Sequence, residues 1–155
     1  MTGARTKDFL TGLRAGELWG LQWSDINWNA KQIHVKRSIW KNEFQKPKTK
    51  NAIRKIDLTD RLVKELRQWK LACPISKDDL VFPSPEGCRT MHTNVMNRFF
   101  YPALRKAGLR QASFHSLRHS NSSFRIQAGQ NIKYIQGQLG QASINMTNGC
   151  LRTPI

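Results

Sequence analysis

Apolar positions recur along this chain at two different periods. In the stretch FLTGLRAGELWGLQW, Thr11 and Gly12 mark a turn, after which Glu17, Leu18, Leu21 and Gln22 continue at helical spacing. That spacing predicts a short amphipathic helix with Arg14 at or just before its N-terminus. The next stretch, WSDINWNAKQIHVKRSIW, changes to alternation and reads as two strands about a turn at 29–31. In the second strand Ile33, Val35 and Arg37 share one face, and His34 and Lys36 the other. AIRKIDL offers a third strand, with Ile53 and Asp57 offset from Arg54 and Ile56.

Beyond that point the helical period dominates. Thr59 or Asp60 caps a helix carrying Leu62, Val63, Leu66 and Trp69, closed by Pro74. LVFPSPEG is a short buried strand or extended piece followed by a turn. Thr93 opens a helix that points Val95, Met96, Phe99 and Phe100 inward, with a kink at Pro102 and an end at Gly108. Two more helices are expected over 116–129 and 132–139, the last closed by Gly140. The fold class expected is α+β: mostly helical, one domain over 1–155, with a small antiparallel three-stranded sheet near the N-terminus.

Charge narrows the partner. Lys and Arg number 26 against 10 Asp and Glu, a net charge of +16, in a chain that is 39% hydrophobic and holds five Trp. That content argues for a folded domain with a polyanionic partner rather than a disordered basic tail. Charge alone does not separate DNA from RNA. Cys73, Cys88 and Cys150 lack CxxC spacing, which suggests a reducing compartment without a disulfide frame or zinc ribbon. No leader pattern and no bilayer-length apolar run is visible, so the expected setting is the cytoplasm or nucleoid.

Candidate chemistry gathers at FHSLRH. His115 stands three residues before Arg118, a spacing that shares a helix face. A guanidinium that forks onto phosphate oxygens beside an imidazole that donates or shuttles a proton suits a phosphodiester. An exposed His and Arg on a solvated helix would give the same string. His115 and His119, at i and i+4, could also seat a metal, although no Glu or Cys flanks them in a ligand pattern. Arg14 is mildly disfavoured at a positive helix N-terminus, which hints at function, and Glu17 is the partner expected to hold it. Lys46, Lys48 and Lys50 read as a solvated loop whose tip could reach a phosphate.

Three ordered stretches, TGLRAGEL, KPKTK and HSLRH followed by IQAGQNIKYIQGQLGQASINMT, resemble the catalytic domain of tyrosine recombinases, the phage-integrase family. The resemblance implies cofactor- and metal-independent phosphoryl transfer on double-stranded DNA, in company with other recombinase protomers. A tyrosine attacks the scissile phosphate, forms a 3′-phosphotyrosyl link and releases a 5′-hydroxyl. By resemblance, Arg14 and Arg118 clamp the non-bridging oxygens, and Glu17 supports Arg14. Lys48, with Lys50 as the fallback, protonates the leaving oxygen, and His115 serves as an acid/base or hydrogen-bonding group. Lys46, Lys50, Arg54 and Arg98 are expected on backbone phosphates.

The departures are as informative. Gln141 stands where the family has a histidine, and it cannot titrate. Leu151 occupies the nucleophile's position, four residues after Thr147; Tyr101 and Tyr134 lie upstream within helices, and neither is assigned that role. Nothing before Met1 supplies the family's core-binding domain, so the expectation is a truncated, cleavage-defective domain. Residues 148–155 can be encoded so that a one-base shift restores Met-Asp-Val-Tyr-Gly-His-Leu, with the tyrosine at 151; the coding DNA tests this, because the shifted tyrosine needs TA at the end of the Leu151 codon. The alternatives are a non-catalytic module that occupies recombination sites and blocks an intact integrase, or a general basic nucleic-acid-binding domain.

Overall fold

A computed structural model of the chain describes residues 11–46 and 52–140. Its fold is α+β. Helix α1 (Ala15–Trp19) leads into a single 3-10 turn (Trp23–Asp25) and a three-stranded antiparallel sheet. The sheet is ordered β1 (Ile26–Asn27), β2 (Gln32–Val35), β5 (Arg54–Asp57), with Ile33 paired to both Ile26 and Ile56. Alternation sets its two faces: Ile33, Val35, Arg54 and Ile56 are buried, while Lys55 and Asp57 face out.

A second, two-stranded hairpin was not anticipated: β3 (Ser38–Trp40) pairs with β4 (Glu43–Gln45). Its two-residue turn, Lys41 and Asn42, adopts positive φ at both positions (48° and 65°), the backbone a tight hairpin requires. β2 therefore stops at Val35. Arg37 does not join the Ile33 face; it bonds Asp25 instead.

Helix α2 (Asp60–Ala72) begins as its cap dictates, with Thr59 Oγ1 accepting from the Leu62 amide at 3.3 Å. It buries Val63 and Leu66, and Trp69 donates its indole N–H to the Val81 carbonyl at 2.6 Å. Leu80, Val81 and Phe82 are buried, yet they form no strand ladder; Leu80 makes a single bridge to Gln22. The next helix is continuous but mixed: α3 (His92–Val95), a π-helical stretch (Met96–Phe100), then α4 (Tyr101–Lys106). The widened turn shifts the register, so Met96 and Phe100 are buried whereas Phe99, expected inside, is 46% exposed.

Helix α5 (Phe114–Gln127) starts two residues earlier than the pattern suggests, because Ser113 caps it by accepting from the Ser116 amide. Helix α6 (Ile132–Leu139) is opened by Asn131 and closed by Gly140 in the left-handed region. Trp19 belongs to the buried core, edge-on to Phe82 and tilted against Phe114. α6 docks on β5: Tyr134 Oη donates to Asp57 Oδ2, while Gln138 both accepts from the Asp57 amide and donates to its carboxylate. Among the described residues, no helix is long and apolar enough to cross a membrane.

Candidate nucleic-acid interface

The site is built around one buried carboxylate. Glu17, third residue of α1, is 6% exposed and accepts four hydrogen bonds. Arg14 gives it two, from the backbone amide to Oε2 and from Nη1 to Oε1, each at 2.8 Å. Arg54, reaching in from β5, gives the other two, forking onto Oε1 and Oε2 at 2.9 and 2.8 Å. Burial alone would raise the Glu17 carboxyl, but hydrogen bonds and charge from Arg54, helped by Arg14, overcome it and hold the pKa below the ordinary value.

The end of α6 completes the cluster. A helix C-terminus leaves its last carbonyls without intrahelical donors and carries partial negative charge. Three guanidinium groups from three elements meet that need. Arg54 Nε donates to Gln138 O at 2.7 Å, Arg118 Nη2 to Leu139 O, and Arg14 Nη2 to Gly140 O at 3.0 Å. Arg118 Nη1 also donates to Gly12 O. Gly12 is needed there: its φ is +71°, and an added Cβ would lie 2.5 Å from Leu139 Cδ2.

Three guanidinium charges against one carboxylate leave a surplus of two positive charges in this cluster. Enclosure perturbs Arg118: burial chiefly, and repulsion from Arg14, lower its pKa to about 10, so it stays charged at neutral pH. Only Arg14 of the three opens to solvent, with 44% of its side chain exposed. It lines a cleft of about 560 Å³ together with Glu17, Arg37, Trp40 and Lys46.

The sequence-derived residues thus separate. Arg14, Glu17, Arg54 and Arg118 come together, and Lys46 shares the cleft with Arg14. Arg54 corrects the expectation placed on it. It is buried with all three guanidinium nitrogens bonded within the protein, so it does not offer itself to a DNA backbone. Arg98 is exposed but lines a different cleft of about 340 Å³, with Trp19, Phe82 and Glu86. His115 and Arg118 share α5, but Arg118 sinks inward while His115 remains exposed, its ring 4.5 Å from that of His119 and nearly perpendicular to it. Burial, then His115 and Arg118, lower the His119 pKa. Among the described residues no group of three or more His, Cys, Asp or Glu could hold a metal. Lys48, Lys50, Gln141 and Leu151 lie outside the described residues.

Gln138 and Tyr134 were missed as contributors. Their signal was weak: a Gln on the inward face of a short helix, and a Tyr one turn before it. The hydrogen bond to Asp57 raises the Tyr134 pKa, opposite to what a nucleophile needs.

Known proteins share this architecture. The profile described as "Phage integrase family" matches residues 9–150, and the chain belongs to that family. It is 30% identical to a "Tyrosine recombinase XerC-like" protein of Caldanaerobacter subterraneus, over 90% of this chain and 42% of that one. It is also 30% identical to the ICEBs1 integrase of Bacillus subtilis, over 92% of this chain and 42% of the relative. The chain therefore spans about two fifths of the length of these curated relatives. Among solved structures, the Tn1549 transposon integrase in complex with circular intermediate DNA superposes with a TM-score of 0.81. That match has 21% identity and covers all of this chain and 63% of that one. At that identity the likeness concerns the fold.

Proposed function

We propose that this chain is a tyrosine-recombinase-type catalytic domain that binds double-stranded DNA but does not cleave it. The observation that carries the binding half is the arginine cluster, with surplus positive charge and one exposed guanidinium, Arg14, in a cleft shared with Lys46. A phosphate entering there meets a preorganised cation whose carboxylate partner is already engaged by Arg54. Lys48 or Lys50 adds a further cation from the same connection, and Arg118 reinforces the field from within. His115, exposed on the helix that carries Arg118, would serve in an acid/base or hydrogen-bonding role.

The catalytic half fails for lack of a nucleophile. Leu151 has no group that can attack phosphorus, and Gln141 cannot exchange a proton. Tyr134 is engaged by Asp57 and Tyr101 packs on Phe100. A protein of this kind would occupy DNA sites without breaking them, and so compete with an intact recombinase.

Binding is tested by titrating the chain with short duplex DNA and with RNA of equal length at several salt concentrations. Expected is duplex binding whose affinity falls steeply with salt and drops about tenfold in Arg14→Ala, in line with the removal of one charge-assisted hydrogen bond to phosphate. A preference for RNA, or affinity indifferent to Arg14, would overturn the reading.

A further inference from the structure

Arg54 and Arg14 hold the same carboxylate, yet they are not equivalent. The Arg54 side chain is 5% exposed, against 44% for Arg14. Arg54 directs Nε to Gln138 O, Nη1 to Glu17 Oε1 and Ala52 O, and Nη2 to Glu17 Oε2. It is the one side chain of the cluster that bonds both Glu17 and the α6 end while having no solvent-facing nitrogen to offer. A charged residue on the inward face of β5, beside Ile56, is costly to desolvate unless its partners are complete. Here they are, and they belong to two elements far apart in sequence.

The chemistry of the carboxylate makes this consequential. Glu17 has two oxygens, and Arg54 occupies one lone pair on each. That leaves Arg14 a single side-chain bond, from Nη1, and keeps its Nη2 turned toward Gly140. With Arg54 gone, one lone pair on each oxygen would open while the Arg14 backbone amide and Nη1 stay in place, and the Arg14 guanidinium would fork onto both oxygens. The donors now presented at the cleft would be consumed inside it.

We propose that Arg54 is a positioning residue for Arg14: by gripping Glu17 and the end of α6 at once, it fixes the direction in which Arg14 presents its guanidinium to an incoming phosphate. This rests on the reading that Arg14 meets DNA. Arg54 itself touches no substrate.

The salt dependence of duplex binding separates this role from a merely structural one, because each phosphate that is no longer neutralised changes the slope of log affinity against log salt by about 0.9. A buried residue neutralises no phosphate of its own. The full 155-residue chain is compared with Arg14→Ala, Arg54→Met, Arg54→Lys and the double variant Arg14→Ala/Arg54→Met. Each is first checked for a cooperative melt, and short duplex DNA of arbitrary sequence is the probe. Arg14→Ala should shallow the slope by about 0.9; Arg54→Met should do the same, and the double variant should be no shallower than Arg14→Ala. Arg54→Lys keeps the charge but not the fork, and should shallow the slope equally; it decides the matter if Arg54→Met does not fold. A wild-type slope in Arg54→Met or Arg54→Lys, or additive effects in the double variant, overturns the positioning role alone. An unchanged slope in Arg14→Ala overturns the DNA reading beneath it.

Discussion

The surroundings of Glu17 and the outer face of α5 are drawn from similar residue types, and they are organised in opposite ways. At Glu17, one carboxylate and three arginines are enclosed and interlocked by hydrogen bonds, with Arg14 alone partly open. On α5, His115 is exposed and meets His119 across a single edge-on ring contact. The first region is bound up with the fold's stability; in the second only the half-buried His119 is, through the burial that lowers its pKa. Burial divides the residues that hold the site from those free to meet a partner.

The largest effect should come from breaking the enclosed region. Glu17→Ala leaves Arg54 as an uncompensated buried charge, and is expected to cost about 3–5 kcal/mol in a urea or thermal melt. A loss below about 1 kcal/mol would show that water reaches the cluster and that the two regions do not differ as described. Next is Gly12→Ala, which forces an alanine to φ +71° and a Cβ to within 2.5 Å of Leu139 Cδ2. About 2 kcal/mol of destabilisation is expected from strain and overpacking together.

A smaller effect sharpens the contrast through pH. Glu17 has a lowered folded pKa, so its contribution is complete above its ordinary value of 4.5 and is lost as pH falls through the folded value. His119 is also lowered, by burial, His115 and Arg118, so stability begins to fall below its ordinary 6.5, where the unfolded chain takes up the proton first. The two regions should therefore weaken in successive windows. Melts spanning mildly alkaline to acidic pH check this, with His119→Gln reducing the upper decline, to which His92, also lowered by burial, contributes, and Glu17→Gln reducing the lower, which Asp57 shares. Smallest is His115→Ala, expected to change stability by less than about 0.5 kcal/mol because the side chain is exposed.

Much of this was legible in the string. Alternation placed Arg54 on the same face as Ile56, which is where the structure has it. The expectation that Arg54 meets a backbone phosphate did not use that placement: a charge on an inward strand face needs buried partners, and Arg54 has them. Their identity was out of reach: Glu17 lies 37 residues away and Gln138 84. The cap at Thr59 and the stop at Gly140 were readable because both depend on local geometry. The β3–β4 hairpin was hidden because Lys41 at positive φ is an unusual turn residue, and Phe99 was misplaced because a π-helical stretch breaks the 3.6-residue period. The arginine cap on α6 could not be read at all, since a carbonyl carries no sequence signal.

A phosphate-binding site without a nucleophile is the central claim about this molecule. It is tested most directly with nicked suicide substrates prepared from DNA flanking this reading frame, incubated with the chain and with Leu151→Tyr and resolved on a denaturing gel. Expected are duplex binding by both proteins and no covalent protein–DNA adduct from the chain as it stands. An adduct formed with Leu151 in place would contradict the claim.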